Sequence, residues 1–143
     1  MTADAGQRVT SMAQDKQRSA TVMVVEDTAI AREPLVRLLQ YEGYRAVGVT
    51  NGQEALDALP IHNPDVVLLD ILMPVMNGLE FLSTIRGDQR FSRWRDIPVI
   101  VLTAVRDDVC ERDVRNLGVQ GFVLKTGFSL EELMTIIRTQ IKA

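Results

Sequence analysis

Four aliphatic runs recur along the chain, and each stops on a polar or charged side chain. Val22-Met23-Val24-Val25 leads into Glu26-Asp27, Val66-Val67-Leu68-Leu69 into Asp70, Val99-Ile100-Val101-Leu102 into Thr103, and Phe122-Val123-Leu124 into Lys125. Uninterrupted apolar runs of this length mark strands covered on both faces, the condition of a parallel sheet. Between the runs the apolar positions fall at helical spacing: Leu35, Leu38, Leu39; then Ala55, Leu56, Leu59; then Leu79, Phe81, Leu82, Ile85; then Val109, Val114, Leu117; then Leu130, Leu133, Met134, Ile137, Ile141. From Thr21 onward the pattern predicts five strands and five helices in strict alternation, an α/β fold built on a doubly wound, five-stranded parallel sheet.

Turn chemistry supports the boundaries. Gly43 follows the first helix, Asn51-Gly52 opens the second, Asn77-Gly78 opens the third, Gly118 closes the fourth, and Ser129 with Glu132 three residues on reads as a capping box for the fifth. Pro34 lies where the first helix should be under way. Its ring is incompatible with a hydrogen bond to the Ile30 carbonyl, so a late start near Glu33 or a kink is expected. The stretch 86–96 carries Arg86, Arg90, Arg93 and Arg95 with Phe91 and Trp94, more length and positive charge than a helix-to-strand link needs. A solvated helix end anchored by Trp94 accounts for it, and a partner patch at the edge away from the strand-end residues is the functional alternative. His62, in Ile61-His62-Asn63-Pro64, reads as a surface loop residue and not a phosphodonor.

With 143 residues, 46% hydrophobic and 24% charged, the chain can bury the core of one domain without disulfides or structural metal. No apolar run approaches the roughly 20 residues of a membrane span, and a cytoplasmic location is expected. Residues 1–20 are polar and carry no signal-peptide core, so a disordered leader is expected before a domain of 21–143. One cysteine, Cys110, cannot form an internal disulfide, and one histidine cannot build a metal cluster. A net charge of −3 without a sustained basic stretch argues against direct contact with nucleic acid.

If the four polar-ended strands are parallel, three carboxylates, a hydroxyl and an ammonium converge at one carboxyl edge, where open α/β sheets place their ligands. Glu26, Asp27 and Asp70 would supply the carboxylates of a magnesium site, an ion that prefers one or two carboxylates with water and phosphate oxygens. Asp70 is the candidate nucleophile, since a carboxylate that accepts a phosphoryl group becomes an acyl phosphate while the cation neutralises charge on the transferred group. Lys125 offers a fixed ammonium to one phosphoryl oxygen and Thr103 a hydroxyl donor to another.

Val-Val-Glu26-Asp27, Leu-Leu-Asp70-Ile-Leu-Met-Pro74 with Asn77-Gly78, Leu102-Thr103-Ala104 and Gly121-Phe122-Val-Leu-Lys125 together resemble the receiver domains of two-component response regulators, in order and spacing from about Thr21 to the C-terminus. The resemblance implies a flavodoxin-like strand order 2-1-3-4-5. It implies that Asp70 takes a phosphoryl group from a phosphohistidine on a sensor histidine kinase or histidine phosphotransfer protein. Asp27 and Asp70 would bind Mg2+ directly, Glu26 mainly through water, and the backbone carbonyl of Leu72 would complete the protein ligands. Thr103, Ala104 and Lys125 would bind the phosphoryl group, and Thr103 and Phe122 would form the switch pair.

The first helix would help to dock the phosphodonor. No output domain is expected after Lys125, so the signal would leave by contact with a downstream effector protein at the face of the fourth helix, fifth strand and fifth helix, where a homodimer could also form. As an enzyme the chain would catalyse only its own phosphotransfer and slow autodephosphorylation. Leu72 and Val105 imply the slow step, because in the family these positions flank the hydrolytic water. Two other readings compete. One is a receiver-like interaction module that works without phosphorylation. The other is a magnesium-dependent phosphatase with an aspartyl nucleophile, which needs a second aspartate where Leu72 stands.

Receivers usually follow the lysine with a proline in a cis peptide, whereas here Lys125 precedes Thr126-Gly127. A non-proline cis bond costs about 3 kcal/mol, so the bond is expected to be trans or the loop strained, and Lys125 to be held less firmly. Thr126→Pro is therefore expected to change the rate of phosphorylation by a small-molecule phosphodonor. Identical rates in the two proteins would remove this peptide bond from any account of the site.

Overall fold

The computed structural model describes residues 20–71, 75–103, 108–125 and 129–142, with the side chains of 108–111 and 142 outside that description. The strands are β1 (Thr21–Val25), β2 (Arg45–Val49), β3 (Val66–Asp70), β4 (Val99–Thr103) and β5 (Gly121–Leu124). The helices between and after them are α1 (Ala29–Tyr41), α2 (Gly52–His62), α3 (Gly78–Gly87), α4 (Asp108–Asn116) and α5 (Leu130–Lys142), with a 3-10 turn over Gln89–Trp94. All four strand pairings are parallel and the order is β2-β1-β3-β4-β5. The expected doubly wound sheet is thus present.

Alternate residues of the inner strands feed two separate cores. Val22, Val24, Val66, Leu68, Ile100 and Leu102 pack with Leu39 of α1 and with Leu133, Met134 and Ile137 of α5. Met23, Val25, Val67, Leu69, Val99 and Val101 pack on the other face with Leu56 and Leu59 of α2, Phe81, Leu82 and Ile85 of α3, and Val114 of α4. Both faces of β1, β3 and β4 are therefore dry, which is why their sequences show no polar alternation. Leu130, counted with the apolar positions of α5, is half exposed. It is the first residue of the helix, before the turns that lie against the sheet.

The helix starts follow local chemistry. Asn51 accepts from the Glu54 amide at 2.9 Å, and Asn77 and Glu80 form a reciprocal capping box at 2.9 and 3.2 Å. Ser129 accepts from the Glu132 amide at 3.0 Å. The late start expected for α1 is not observed. The helix begins at Ala29 on a Thr28 cap and runs through Pro34 to Tyr41 without a break. Pro34 has no N–H to give to the Ile30 carbonyl, and Ile30 is 90% exposed, so water can reach that turn.

At the amino edge, Trp94 is buried and its indole N–H donates to Asn63 Oδ1 at 3.0 Å. The Arg86 guanidinium donates to the carbonyls of Arg95 at 2.6 Å and Gly118 at 2.8 Å, and Arg90 pairs with Asp88 at 2.7 Å. The basic stretch is thus an anchored helix end in which Arg86 is a structural tie, while Arg93 and Arg95 stay exposed. His62 is exposed as expected, but it closes α2 instead of lying in the loop, because Asn63 takes the left-handed conformation (φ 45°) that ends the helix. Of the expected leader, residues 1–19 lie outside the described residues. Ala20 is buried, and its carbonyl accepts from the Arg45 amide at 3.0 Å.

Gly78 returns the chain after β3 to the start of α3. Its amide donates to the Ile71 carbonyl at 2.9 Å, and a Cβ there would collide with the Asp70 carbonyl oxygen and lie 2.8 Å from Ile71 Cα. Backbone cannot give way as a side-chain tip can. Gly78→Ala is expected to destabilise the fold by about 2 kcal/mol in urea denaturation, the usual scale of overpacking; an unchanged midpoint would show that this close approach is not made in solution.

Candidate functional site

Two of the five chemistry-bearing residues end strands and the other three follow strand ends. β1 ends at Val25 and passes Glu26 and Asp27 to the turn before α1; β3 ends on Asp70, β4 ends on Thr103, and Lys125 directly follows β5. Parallel register aligns these ends, with Val25 beside Leu69, Asp70 beside Leu102, and Thr103 beside Leu124. Adjacent strands lie about 4.8 Å apart, so aligned ends bring their side chains within reach of one another. Glu26, Asp27 and Asp70 accordingly offer carboxylate oxygens that all lie within 4.8 Å of one another.

Burial makes this cluster demanding. Glu26 is 1% exposed, Asp70 5% and Thr103 6%, while Asp27 is the most open of the three acids. The Lys125 ammonium enters between two of the carboxylates, 2.5 Å from Glu26 Oε2 and 3.3 Å from Asp70 Oδ2. Its backbone is placed by the sheet, since the Lys125 amide donates to the Thr103 carbonyl at 2.6 Å, one step past β5. Glu26 is held likewise, its amide donating to the Val49 carbonyl at 3.0 Å.

The electrostatics follow from that geometry. Burial pushes the Glu26 carboxyl above its ordinary pKa, the hydrogen bond from Lys125 opposes the rise, and the Asp70 charge adds to it. Burial alone would lower the Lys125 ammonium, but the hydrogen bond to Glu26 and the charge of Asp70 outweigh it, and the lysine is raised. Within the cluster three carboxylates face one ammonium, a surplus of negative charge when all are ionised. Glu26 Oε1 is buried and finds no hydrogen-bond donor among the described residues. A clustered all-oxygen donor set with surplus negative charge and an unsatisfied buried oxygen fits a hard divalent cation.

The chain around the cluster is shaped as closely. After Asp70 and the buried Ile71 it returns through Val75, which has φ 68°, a left-handed conformation unfavourable for a β-branched side chain. The Met76 carbonyl accepts from the Gly52 amide at 2.8 Å, tying this return to the start of α2. Phe122 is half-buried against the α2–α3–α4 core, with the Arg115 guanidinium 5.2 Å from its ring centroid. Leu72, Ala104, Val105 and the Lys125–Thr126 bond lie outside the described residues.

Glu26, Asp27, Asp70, Thr103 and Lys125 thus stand at the one edge where the aliphatic runs place them. Two neighbours carry no sequence signal of this kind. Arg32 donates to the Glu26 carbonyl at 2.9 Å, and Arg115 stacks over Phe122; each is one of two arginines on its helix, and only the fold shows what it touches. Chemically, the cluster combines three carboxylates, an ammonium and a hydroxyl at one sheet edge.

Residues 22–138 match the family model of the response regulator receiver domain. Response regulator MprA of Mycolicibacterium vanbaalenii is 38% identical over 122 residues, covering 85% of this chain and 50% of that protein. The protein of the same name from Mycobacterium tuberculosis is 37% identical over 125 residues, covering 87% of this chain and 51% of its own length. The chain therefore spans about half the length of the curated relatives it matches. Among solved structures, a DNA-binding response regulator of the LuxR family from Staphylococcus aureus superposes with a TM-score of 0.75 at 30% identity, covering 86% of this chain and 99% of the other. A chemotaxis response regulator of Vibrio cholerae gives 0.74 at 28% identity, covering 85% and 98%.

Removing the ammonium should expose the cost of the buried acid. In the presence of a chelator, Lys125→Ala is expected to lose roughly 3 kcal/mol of stability, as when one partner of a buried pair is deleted. The loss should shrink toward mildly acid pH, where Glu26, already raised by burial, takes up a proton and ceases to be a buried charge. Urea denaturation of the variant across pH, with Glu26→Gln added to restore stability, measures both effects.

Proposed function

This chain belongs to the response regulator receiver domain family, and we propose that it is a phosphoacceptor of a two-component or phosphorelay system, phosphorylated on Asp70. The observation that carries this reading is the Asp70 carboxylate at the carboxyl edge, 3.3 Å from the Lys125 ammonium and grouped with Glu26 and Asp27. An Asp70 oxygen attacks the phosphorus of a phosphohistidine on a sensor kinase or phosphotransfer protein. The P–N bond breaks, its electron pair and a proton go to the donor imidazole, and an acyl phosphate remains on Asp70.

Mg2+ is the cation the site would hold, with Asp27 and Asp70 as direct ligands, Glu26 mainly through water and the Leu72 carbonyl completing the set. When bound, it neutralises charge developing on the transferred group. The remaining work belongs to the chain. Lys125 already stands beside Asp70 and needs only to exchange a carboxylate oxygen for a phosphoryl oxygen. Thr103, at the end of β4, and Ala104 after it supply further phosphoryl contacts. The Thr103 hydroxyl moves toward the new group and Phe122 turns inward, which carries the signal to the α4–β5–α5 face, where an effector or a second copy docks. Apolar side chains at Leu72 and Val105 make self-dephosphorylation slow.

Incubation with acetyl phosphate and Mg2+ is expected to add the mass of one phosphoryl group, with no addition to Asp70→Asn or after chelation. The phosphoryl group is expected to persist for minutes or longer, and a half-life of seconds would remove Leu72 and Val105 from the account. A wild-type chain that takes up neither phosphoryl group nor beryllofluoride would instead be a module that docks partners without phosphorylation.

A further inference from the structure

The acidic pair Glu26-Asp27 lies where the sheet stops supporting the backbone. The β1–β2 ladder ends at Val25 opposite Val49, and one further rung, from the Glu26 amide to the Val49 carbonyl at 3.0 Å, closes it. From that point the chain must turn into α1 while holding two carboxylates toward Asp70. Arg32, one turn into α1, reaches back to this turn. Its Nη1 donates to the Glu26 carbonyl at 2.9 Å and, more weakly, to the Asp27 carbonyl at 3.5 Å.

The contact is built and not incidental. The Arg32 side chain is only 16% exposed, and its acidic neighbour Glu33, 3.8 Å away and largely exposed, gives it little reason to be there. Its stem lies over Gly48 of β2, where an added Cβ would stand 3.0 Å from Arg32 Cδ and 3.2 Å from Cγ. Glycine weakens a strand interior, so its presence at this close approach marks room made for the arginine.

We propose that Arg32 is a positioning residue of the acidic pocket, fixing the backbone beneath Glu26 and Asp27 and so the aim of their carboxylates at a divalent cation. The inference rests on the reading of this pocket as a magnesium site. Groups that orient metal ligands without touching the metal commonly change affinity by 10- to 100-fold when removed. Arginine suits the task because the two N–H groups of Nη1 lie in the fixed guanidinium plane and can serve adjacent carbonyls, which an ammonium on a flexible stem does less well.

The test is the Mg2+ dissociation constant of the full chain, measured by titration calorimetry well below the melting temperature, where a purely structural contribution of Arg32 leaves affinity unmoved. Arg32→Gln is expected to weaken Mg2+ binding about tenfold. Arg32→Lys should remain several-fold weakened, and full recovery by lysine would overturn the proposal that the fixed guanidinium geometry sets the pocket. Gly48→Ala, which crowds the arginine stem and leaves every carboxylate in place, should weaken binding a few-fold in the wild-type background and have no further effect beside Arg32→Gln. Gly48→Ala carries the test by itself if Arg32→Gln fails to fold. Wild-type affinity in either single variant, or additive effects in the double variant, would overturn the role of Arg32 alone. A wild-type chain that binds no Mg2+ would overturn this inference and the magnesium site together.

Discussion

A carboxylate buried as completely as that of Glu26 is the constraint around which this edge of the molecule is organised. In a low-dielectric site an unpaired charge is costly, and the chain answers with one ammonium delivered from the far side of the sheet. That answer is incomplete: Lys125 forms an ion pair with one Glu26 oxygen and also faces Asp70, while the other Glu26 oxygen finds no donor among the described residues. A cluster with this balance suits a hard cation, and in the proposed reaction a phosphoryl group would need that cation beside it. Fold stability and the proposed chemistry therefore draw on the same electrostatic imbalance.

The inner strands were legible in the sequence because burial on both faces leaves no room for polar residues, so they stand out as aliphatic runs with polar stops, whereas β2 at the edge carries no such run. The convergence of Glu26, Asp27, Asp70, Thr103 and Lys125 followed from parallel pairing alone. Pro34 misled because the rule against proline within a helix assumes that the lost hydrogen bond matters; here the carbonyl left without a donor belongs to exposed Ile30 in the first turn, where water can replace it, and the Thr28 cap prevailed. Trp94 was readable as an anchor, but the role of Arg86 as a tie between two turns was not, since its carbonyl partners lie as far as 32 positions away. Arg32 was hidden for a related reason. Its partners are main-chain oxygens, which every residue has and no composition reveals.

The return after Asp70 shows how local preference is overruled. Val75 accepts a left-handed backbone because both ends of its segment are pinned, by the Gly78 amide on Ile71 and by the Gly52 amide on the Met76 carbonyl. Of order 1 kcal/mol or more is held in such a conformation. The capping box at Asn77-Glu80 starts α3 immediately afterwards, so the strained return is bounded by rigid elements on both sides.

The uniform apolarity of β1, β3 and β4 leaves one problem that their side chains cannot solve. Where both faces are dry and every residue is aliphatic, sliding one strand past its neighbour exchanges one greasy contact for another, and the usual inside-outside signal for alignment is absent. Alignment must come from the tips. At the amino edge Thr21 and Asp65 exchange two hydrogen bonds of 2.8 Å, and Gln120 both gives to and takes from Val99, again at 2.8 Å. At the opposite edge a slip would drag Asp70 or Thr103 into the hydrocarbon interior. The polar strand ends thus double as stops on a sliding rail, and the geometry of the cluster is one that their own polarity helps to enforce.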